Sequence, residues 1–134
     1  MSADITKSSI DLGIVAKDID AMMAFYEKTL GLPFEGSMPM PGGGTMHRFK
    51  AGDSVIKIIS LEPQAPVVAA PGGIRGATGY RYWTITVSNL SDCIEKADAA
   101  GTKIIVRSQE VRPGITIAIL TDPDGNWVEL LQIT

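Results

Sequence analysis

The side chains most able to do chemistry in this sequence stand on stretches that alternate like strands. In Trp127-Val128-Glu129-Leu130-Leu131, Val128 and Leu130 point one way while Trp127, Glu129 and Leu131 point the other, which leaves one carboxylate mid-strand. On an edge strand Glu129 would face water; in a pocket it would be available as an acid or base. Asp11 raises the same question in Ser9 to Val15, where Ile10, Leu12 and Ile14 alternate with Ser9, Asp11, Gly13 and Val15. Met46 to Lys50 and Ser54 to Ser60 flank Ala51-Gly52-Asp53. A two-residue turn there, with either Ala51-Gly52 or Gly52-Asp53 at its tip, puts Arg48 and Lys57 on one face and His47, Phe49, Ile56 and Ile58 on the other. Tyr80 to Val87 carries Tyr82, Thr84 and Thr86 on one face, opposite Trp83, Ile85 and Val87. Carboxylates, an amine, a guanidinium and a phenol so placed could move protons or steady an oxyanion.

Other reactive residue types read differently. The single histidine, His47, falls among apolar side chains, which favours packing over catalysis. The single cysteine, Cys93, lies on the buried stripe of a helix and reads as a small core residue. The Pro-, Gly- and Met-rich stretch Ser37 to Thr45 lacks the Lys and Ser/Thr of a phosphate loop and is expected to be a mobile loop.

The elements that must position these residues follow from pattern and punctuation. Residues 1 to 8 are polar and expected to fray. Asp18 caps a helix whose stripe is Ile19, Met22, Met23, Phe25 and Tyr26 and which ends near Leu30-Gly31-Leu32-Pro33. Leu90 to Ala100 is a second helix, with Ser91 near its start and Gly101 at its end. Strands are expected at 103 to 107 and 115 to 120, and Asp122-Pro123-Asp124-Gly125 is a strong turn signal before the closing strand. Leu61 to Gly79, with three prolines and Gly72-Gly73, reads as a linker or as a loop folding over a site.

At 134 residues the chain is long enough for one domain with a sizeable core. Its 45% apolar and 20% charged residues are ordinary for a globular protein. A net charge of −3 gives no basic footprint for nucleic acid, and no apolar run approaches the ~20 residues of a membrane span. One cysteine cannot close an internal disulfide and no signal segment opens the chain, so a cytoplasmic protein is expected.

The order strand, helix, three strands occurs twice. Ala16-Lys17-Asp18-Ile19 corresponds to Val87-Ser88-Asn89-Leu90, Leu30-Gly31 to Ala100-Gly101, and Asp53 through Ile58 to Gly125 through Leu130. This is a tandem βαβββ duplication, with module one at about 9–60, a linker at 61–79 and module two at about 80–134. Across residues 9 to 133 the chain resembles the vicinal oxygen chelate superfamily, which groups glyoxalase I, bleomycin-resistance proteins, methylmalonyl-CoA epimerase and extradiol dioxygenases. The resemblance rests on Asp18-Ile19 through Phe25-Tyr26, Leu30-Gly31-Leu32, Asp122-Pro123-Asp124-Gly125 and Val128-Glu129-Leu130. It implies an α+β fold in which curved mixed sheets enclose a cavity with helices on the outer face, and a homodimer.

In metal-dependent relatives four inward-facing residues hold a divalent ion. By position these fall on Asp11, Lys57, Tyr82 and Glu129, and only Glu129 matches the usual ligand type. An ammonium repels a metal ion and attracts carboxylates. The resemblance therefore implies an Asp11–Lys57–Glu129 cluster with Tyr82 supplying a hydroxyl and with Arg48 and Thr84 as substrate contacts. No cofactor is expected, and a divalent metal, if held, would rest on Asp11 and Glu129. A structural ion pair explains the same residues.

Three functions compete. The first is a metal-independent enzyme moving protons on a small carbonyl or oxygenated compound, as an isomerase or lyase. The second is a protein that sequesters a drug or metabolite, like bleomycin-resistance relatives. The third is a metal-dependent glyoxalase or dioxygenase, for which two carboxylates beside a lysine make a poor site.

Overall fold

The computed structural model describes residues 2–134. The first module runs β1 (Asp11–Val15), α1 (Ile19–Ala24), a π-helical turn (Phe25–Thr29), β2 (Phe34–Pro39), β3 (Gly44–Ala51) and β4 (Ser54–Leu61). The second runs β5 (Tyr82–Thr86), α2 (Leu90–Ala99), β6 (Ile104–Arg112), β7 (Ile115–Thr121) and β8 (Trp127–Ile133). Each module forms one four-stranded sheet, in the orders β1-β4-β3-β2 and β5-β8-β7-β6. The first strand pairs in parallel with the last of its own module, and the other pairings are antiparallel. The sheets curve without closing into barrels, and the α+β tandem βαβββ reading holds.

The β3–β4 hairpin turns on Gly52-Asp53, since Ala51 pairs with Ser54. Gly52 supplies the positive φ of +59° that a tight hairpin turn needs. Asp18 caps α1 by accepting Ala21 N–H at 3.2 Å. The expected continuous helix to Leu30 instead changes pitch at Phe25, which keeps Phe25 and Tyr26 buried as the helix gives way to its π-helical turn. Ser91 lies near the start of α2 as expected, in its first turn. Asn89 stands at the cap position without a side-chain bond to a helix amide, its Oδ1 accepting Cys93 Sγ–H at 3.6 Å, and Gln132 Oε1 accepts Leu90 N–H at 2.8 Å.

The Gly-rich stretch 37 to 45 is mostly strand, not loop. Ser37, Met38 and Pro39 pair with His47, Met46 and Thr45 around a short turn. At Gly44 (φ +109°) a Cβ would collide with the Ser60 carbonyl, so the absence of a side chain lets β3 close on β4 here. β6 is also longer than the pattern indicated, because three register shifts against β7 break its alternation.

One apolar core joins the modules. Met22, Phe25 and Tyr26 of the first helical segment and Phe49, Ile56 and Ile58 of its sheet pack in the same cluster as Leu90, Ala97, Ala118, Leu120, Val128 and Leu130. Full burial of each large side chain contributes about 1.5–3 kcal/mol relative to exposure. The opposite alternates of both sheets, including Asp11, Lys57, Arg48, Tyr82, Thr84 and Glu129, lie on the faces turned away from this core. Among the described residues no helix is long and apolar enough to cross a membrane.

Candidate functional site

On the first sheet, strand register brings the cations together. Arg48 and Lys57 are direct cross-strand partners on β3 and β4, so their side chains share one face as the alternation required. Gly13 is the β1 residue opposite Lys57, and a Cβ there would meet Ile59 Cδ1 at 3.7 Å. Lys57 Nζ lies 3.3 Å from Asp11 Oδ2, and Lys7 Nζ donates to Asp11 Oδ1 at 2.8 Å. Arg48 Nε reaches Glu35 Oε1 at 3.5 Å. With Lys57 one quarter exposed and Asp11 one third exposed, such pairs orient side chains more than they stabilise the fold. The Lys7 hydrogen bond first, and Lys57 second, hold the Asp11 carboxyl below the usual carboxylate range.

On the second sheet the chemistry is neutral to anionic. Thr84 and Glu129 are cross-strand partners on the parallel β5–β8 pair, and Thr84 Oγ1 donates to Glu129 Oε1 at 2.8 Å. Tyr82 stands two residues before Thr84 on the same face and is half exposed. No ion pair joins Glu129 to a cation among the described residues. The structure thus brings Asp11, Lys57 and Arg48 to one sheet face and Tyr82, Thr84 and Glu129 to another. It does not bring Lys57 to Glu129 within one chain.

Two clefts border these faces. One, of about 850 Å3, runs between β1, the linker and the start of β5, and among the expected site residues Asp11 and Tyr82 line it. The other, of about 880 Å3, lies between the first helix, the linker and the Asp122-Pro123-Asp124-Gly125 turn. Arg81 and Trp127 line both. Lys57, Arg48, Thr84 and Glu129 line neither.

The donor set does not suit a divalent ion. A lysine occupies one of the four family positions and already binds the Asp11 carboxylate, while the Glu129 carboxylate takes the Thr84 hydroxyl. Among the described residues no three His, Cys, Asp or Glu side chains cluster as metal ligands would.

His47 Nδ1 lies 2.7 Å from Ser37 Oγ on β2, away from Lys57 and with Phe49 on the core-side alternates of β3. Cys93 is half-buried with its thiol pKa raised by burial, as fits an inert packing residue.

Sequence reasoning did not single out several residues that shape these surfaces. Arg81 Nε donates to Gly73 O at 2.6 Å, and its Nη2 to Ala70 O and Pro71 O at 2.8 and 3.2 Å, fastening the linker as a strap. Asp122, only 3% exposed, accepts Tyr26 O–H at 2.8 Å and the backbone N–H of Asp124 and Asn126. Burial raises the pKa of its carboxyl, and burial raises that of the Tyr26 hydroxyl far above the ordinary value. Asp124 accepts Lys17 N–H and Asp18 N–H across the module boundary. The turn signal was plain in sequence; its service to the other module was not, because a turn motif carries no trace of a distant acceptor.

Comparison with solved structures places the same architecture in other proteins. A glyoxalase family protein from Bacillus cereus superposes with a TM-score of 0.82 at 16% identity, covering 99% of both chains. TioX from Micromonospora sp. ML1 gives 0.69 at 17% identity, covering 96% of this chain and 100% of that one. Lactoylglutathione lyase from Agrobacterium tumefaciens gives 0.65 at 21% identity, covering 92% and 91%. No curated protein matches the sequence. Residues 10–130 match the Glyoxalase/Bleomycin resistance protein/Dioxygenase superfamily, and with the two βαβββ sheets in place the chain belongs to that superfamily.

Proposed function

We propose that this protein is a metal-independent enzyme of its superfamily, acting by proton transfer on a small carbonyl or otherwise oxygenated compound. The observation that carries this is Lys57 Nζ, held 3.3 Å from Asp11 Oδ2 and directly across the ladder from Arg48. Two cations on one sheet face offer a developing oxyanion the stabilisation that relatives draw from a metal. Glu129, fixed by the Thr84 hydroxyl, is the proton acceptor, and the Tyr82 hydroxyl is a second donor. A proton leaves the carbon beside the substrate carbonyl for Glu129, and its electron pair shifts onto the carbonyl oxygen. Lys57 steadies the resulting enolate, and return of the proton to the opposite face of the same carbon, as the carbonyl re-forms, gives the stereoisomer.

The Lys57 and Glu129 faces are turned away from one shared core, so a homodimer that sets one chain's first sheet against its partner's second supplies the missing half of the site. Exposed Val15 and Met38 on these faces favour such a cover. The single cysteine, unable to form an internal disulfide, supports a cytoplasmic setting.

The test is proton exchange into carbonyl compounds in D2O, followed by NMR. Lys57→Met should lower the exchange rate about a hundredfold. Unchanged exchange in that variant, or stoichiometric divalent metal in protein purified without chelators, removes the proposal. A second reading, sequestration without chemistry, is favoured by the 850 Å3 cleft itself, a size suited to holding a small molecule whole. Its signature is saturable binding with the ligand recovered intact.

A further inference from the structure

The 850 Å3 cleft is built from unusual material for this chain. Aromatic residues make up only 6% of the sequence, with two tryptophans and three tyrosines. Both tryptophans, Trp83 and Trp127, line this one cleft together with Tyr80 and Tyr82. Core formation accounts for some of this, since Trp83 stacks on buried Tyr26 with ring centroids 6.3 Å apart. It does not account for Tyr80 and Tyr82, which are fully and half exposed. Nor does it account for Val67 and Val68 of the strap, 80% and 64% exposed on the same cleft. Exposed phenol rings and aliphatic side chains around one concavity of small-molecule size fit a flat, apolar body better than a sugar or a flexible polar chain.

The charges of the cleft give that body a sign. Its two carboxylates are already engaged. Asp11 is held by Lys7 and Lys57, and Asp124 accepts two backbone N–H groups at 2.6 and 3.1 Å. Its cations are not neutralised. Lys17 belongs to no ion pair among the described residues, and Arg81 faces only backbone carbonyls, with no carboxylate within ion-pair distance among those residues. Satisfied anions beside unneutralised cations favour an anionic guest.

We infer that this cleft binds a planar aromatic anion, such as an aryl carboxylate, stacked against the exposed tyrosines with its charge toward Lys17 and Arg81. The inference deepens the proposed function, because Asp11 and Tyr82 border the cleft and would carry the ring system up to the Lys57 face. It rests on that reading only for the chemistry, not for the binding.

Titration of the full-length protein with 2-naphthoate, read by tryptophan fluorescence and calorimetry, tests it. Decanoate serves as a flexible anion of similar size and 2-naphthalenemethanol as a neutral planar analogue. Naphthoate should bind about tenfold more tightly than either. Tyr80→Ala, at a fully exposed position that leaves folding intact, should weaken both aromatic ligands, whereas Lys17→Gln should weaken naphthoate alone. Phe34→Ala, an exposed aromatic outside the cleft, should change nothing. Equal affinity for decanoate, binding indifferent to Tyr80→Ala, or absence of saturable naphthoate binding overturns the inference. Lys57→Met separates the two proposals. If it abolishes proton exchange while naphthoate still binds, both stand; if naphthoate fails to bind while exchange on other carbonyls depends on Lys57, only the ligand class is lost.

Discussion

Asp124, in the turn before the last strand of the second module, accepts the backbone N–H of Lys17, in the first module, at 2.6 Å and that of Asp18 at 3.1 Å. The two residues are 107 positions apart in the chain. Together with Gln64 Nε2, which donates to Lys17 O at 2.9 Å, this contact fixes how the first helix sits against the second sheet.

Asp124→Ala should therefore cost about 1–2 kcal/mol, as a lost helix-start acceptor does, because two amides lose their partner at once. Urea unfolding with an unchanged m-value would register it. Asp124→Asn, which keeps one acceptor oxygen, should recover roughly half of the loss.

Asp122 sets a pH dependence. Its folded-state pKa is raised, so its contribution to stability is fully present below the unfolded carboxylate value and is lost as pH rises through the higher folded value. The Tyr26 hydroxyl opposes this by donating to the carboxylate at 2.8 Å. Tyr26→Phe should thus be more destabilising at neutral pH, by about 1–3 kcal/mol, than in acid where Asp122 is protonated. Urea midpoints across pH would show the gap closing as the pH falls; a constant gap would remove the assignment.

Asp11 responds in the opposite direction. Its carboxyl is depressed chiefly by Lys7 and secondly by Lys57, so the associated stabilisation exists above the unfolded carboxylate value and fades as pH falls through the folded one. A carboxyl NMR titration should show the Asp11 midpoint rising in both Lys7→Ala and Lys57→Met, and rising further in the former. This separates a lysine that merely tunes Asp11 from one that belongs to the sheet face.

The strap offers a packing test. Gly73 has φ +58°, and a Cβ there would overlap the Trp127 indole, so Gly73→Ala must displace the ring or the strap. Destabilisation of about 1–3 kcal/mol with a red-shifted tryptophan emission is expected. Arg81→Ala, which frees three carbonyls, should open the segment 61–79 to proteolysis without moving the indole as far.

Much of the scaffold was legible because local rules were sufficient. The alternation around Glu129 set Val128 and Leu130 on one side, and they lie in the core at 0% and 1% exposure; either placement of the Ala51-Gly52-Asp53 turn set Arg48 and Lys57 on one face, where they are cross-strand partners. What escaped was non-local. The glycines at 43 and 44 looked like loop residues, yet they are strand-closing residues because of carbonyls at 60 and 62 that no window around them contains. Lys7 sits in a polar terminus with nothing to mark it, but it is the tighter of the two partners of Asp11. Position alone suggested Glu129 beside Lys57; the partner it has is Thr84, which strand register supplies and family position does not.

The single core bears on how far the two repeats can be separated. The apolar faces of both copies of the repeat form one interior, and a turn in the later copy supplies acceptors at the start of the helix in the earlier one. Either half expressed alone would lack part of its interior and its borrowed acceptors. The repeat is a pattern in the sequence, while the unit that closes its own interior is the whole tandem.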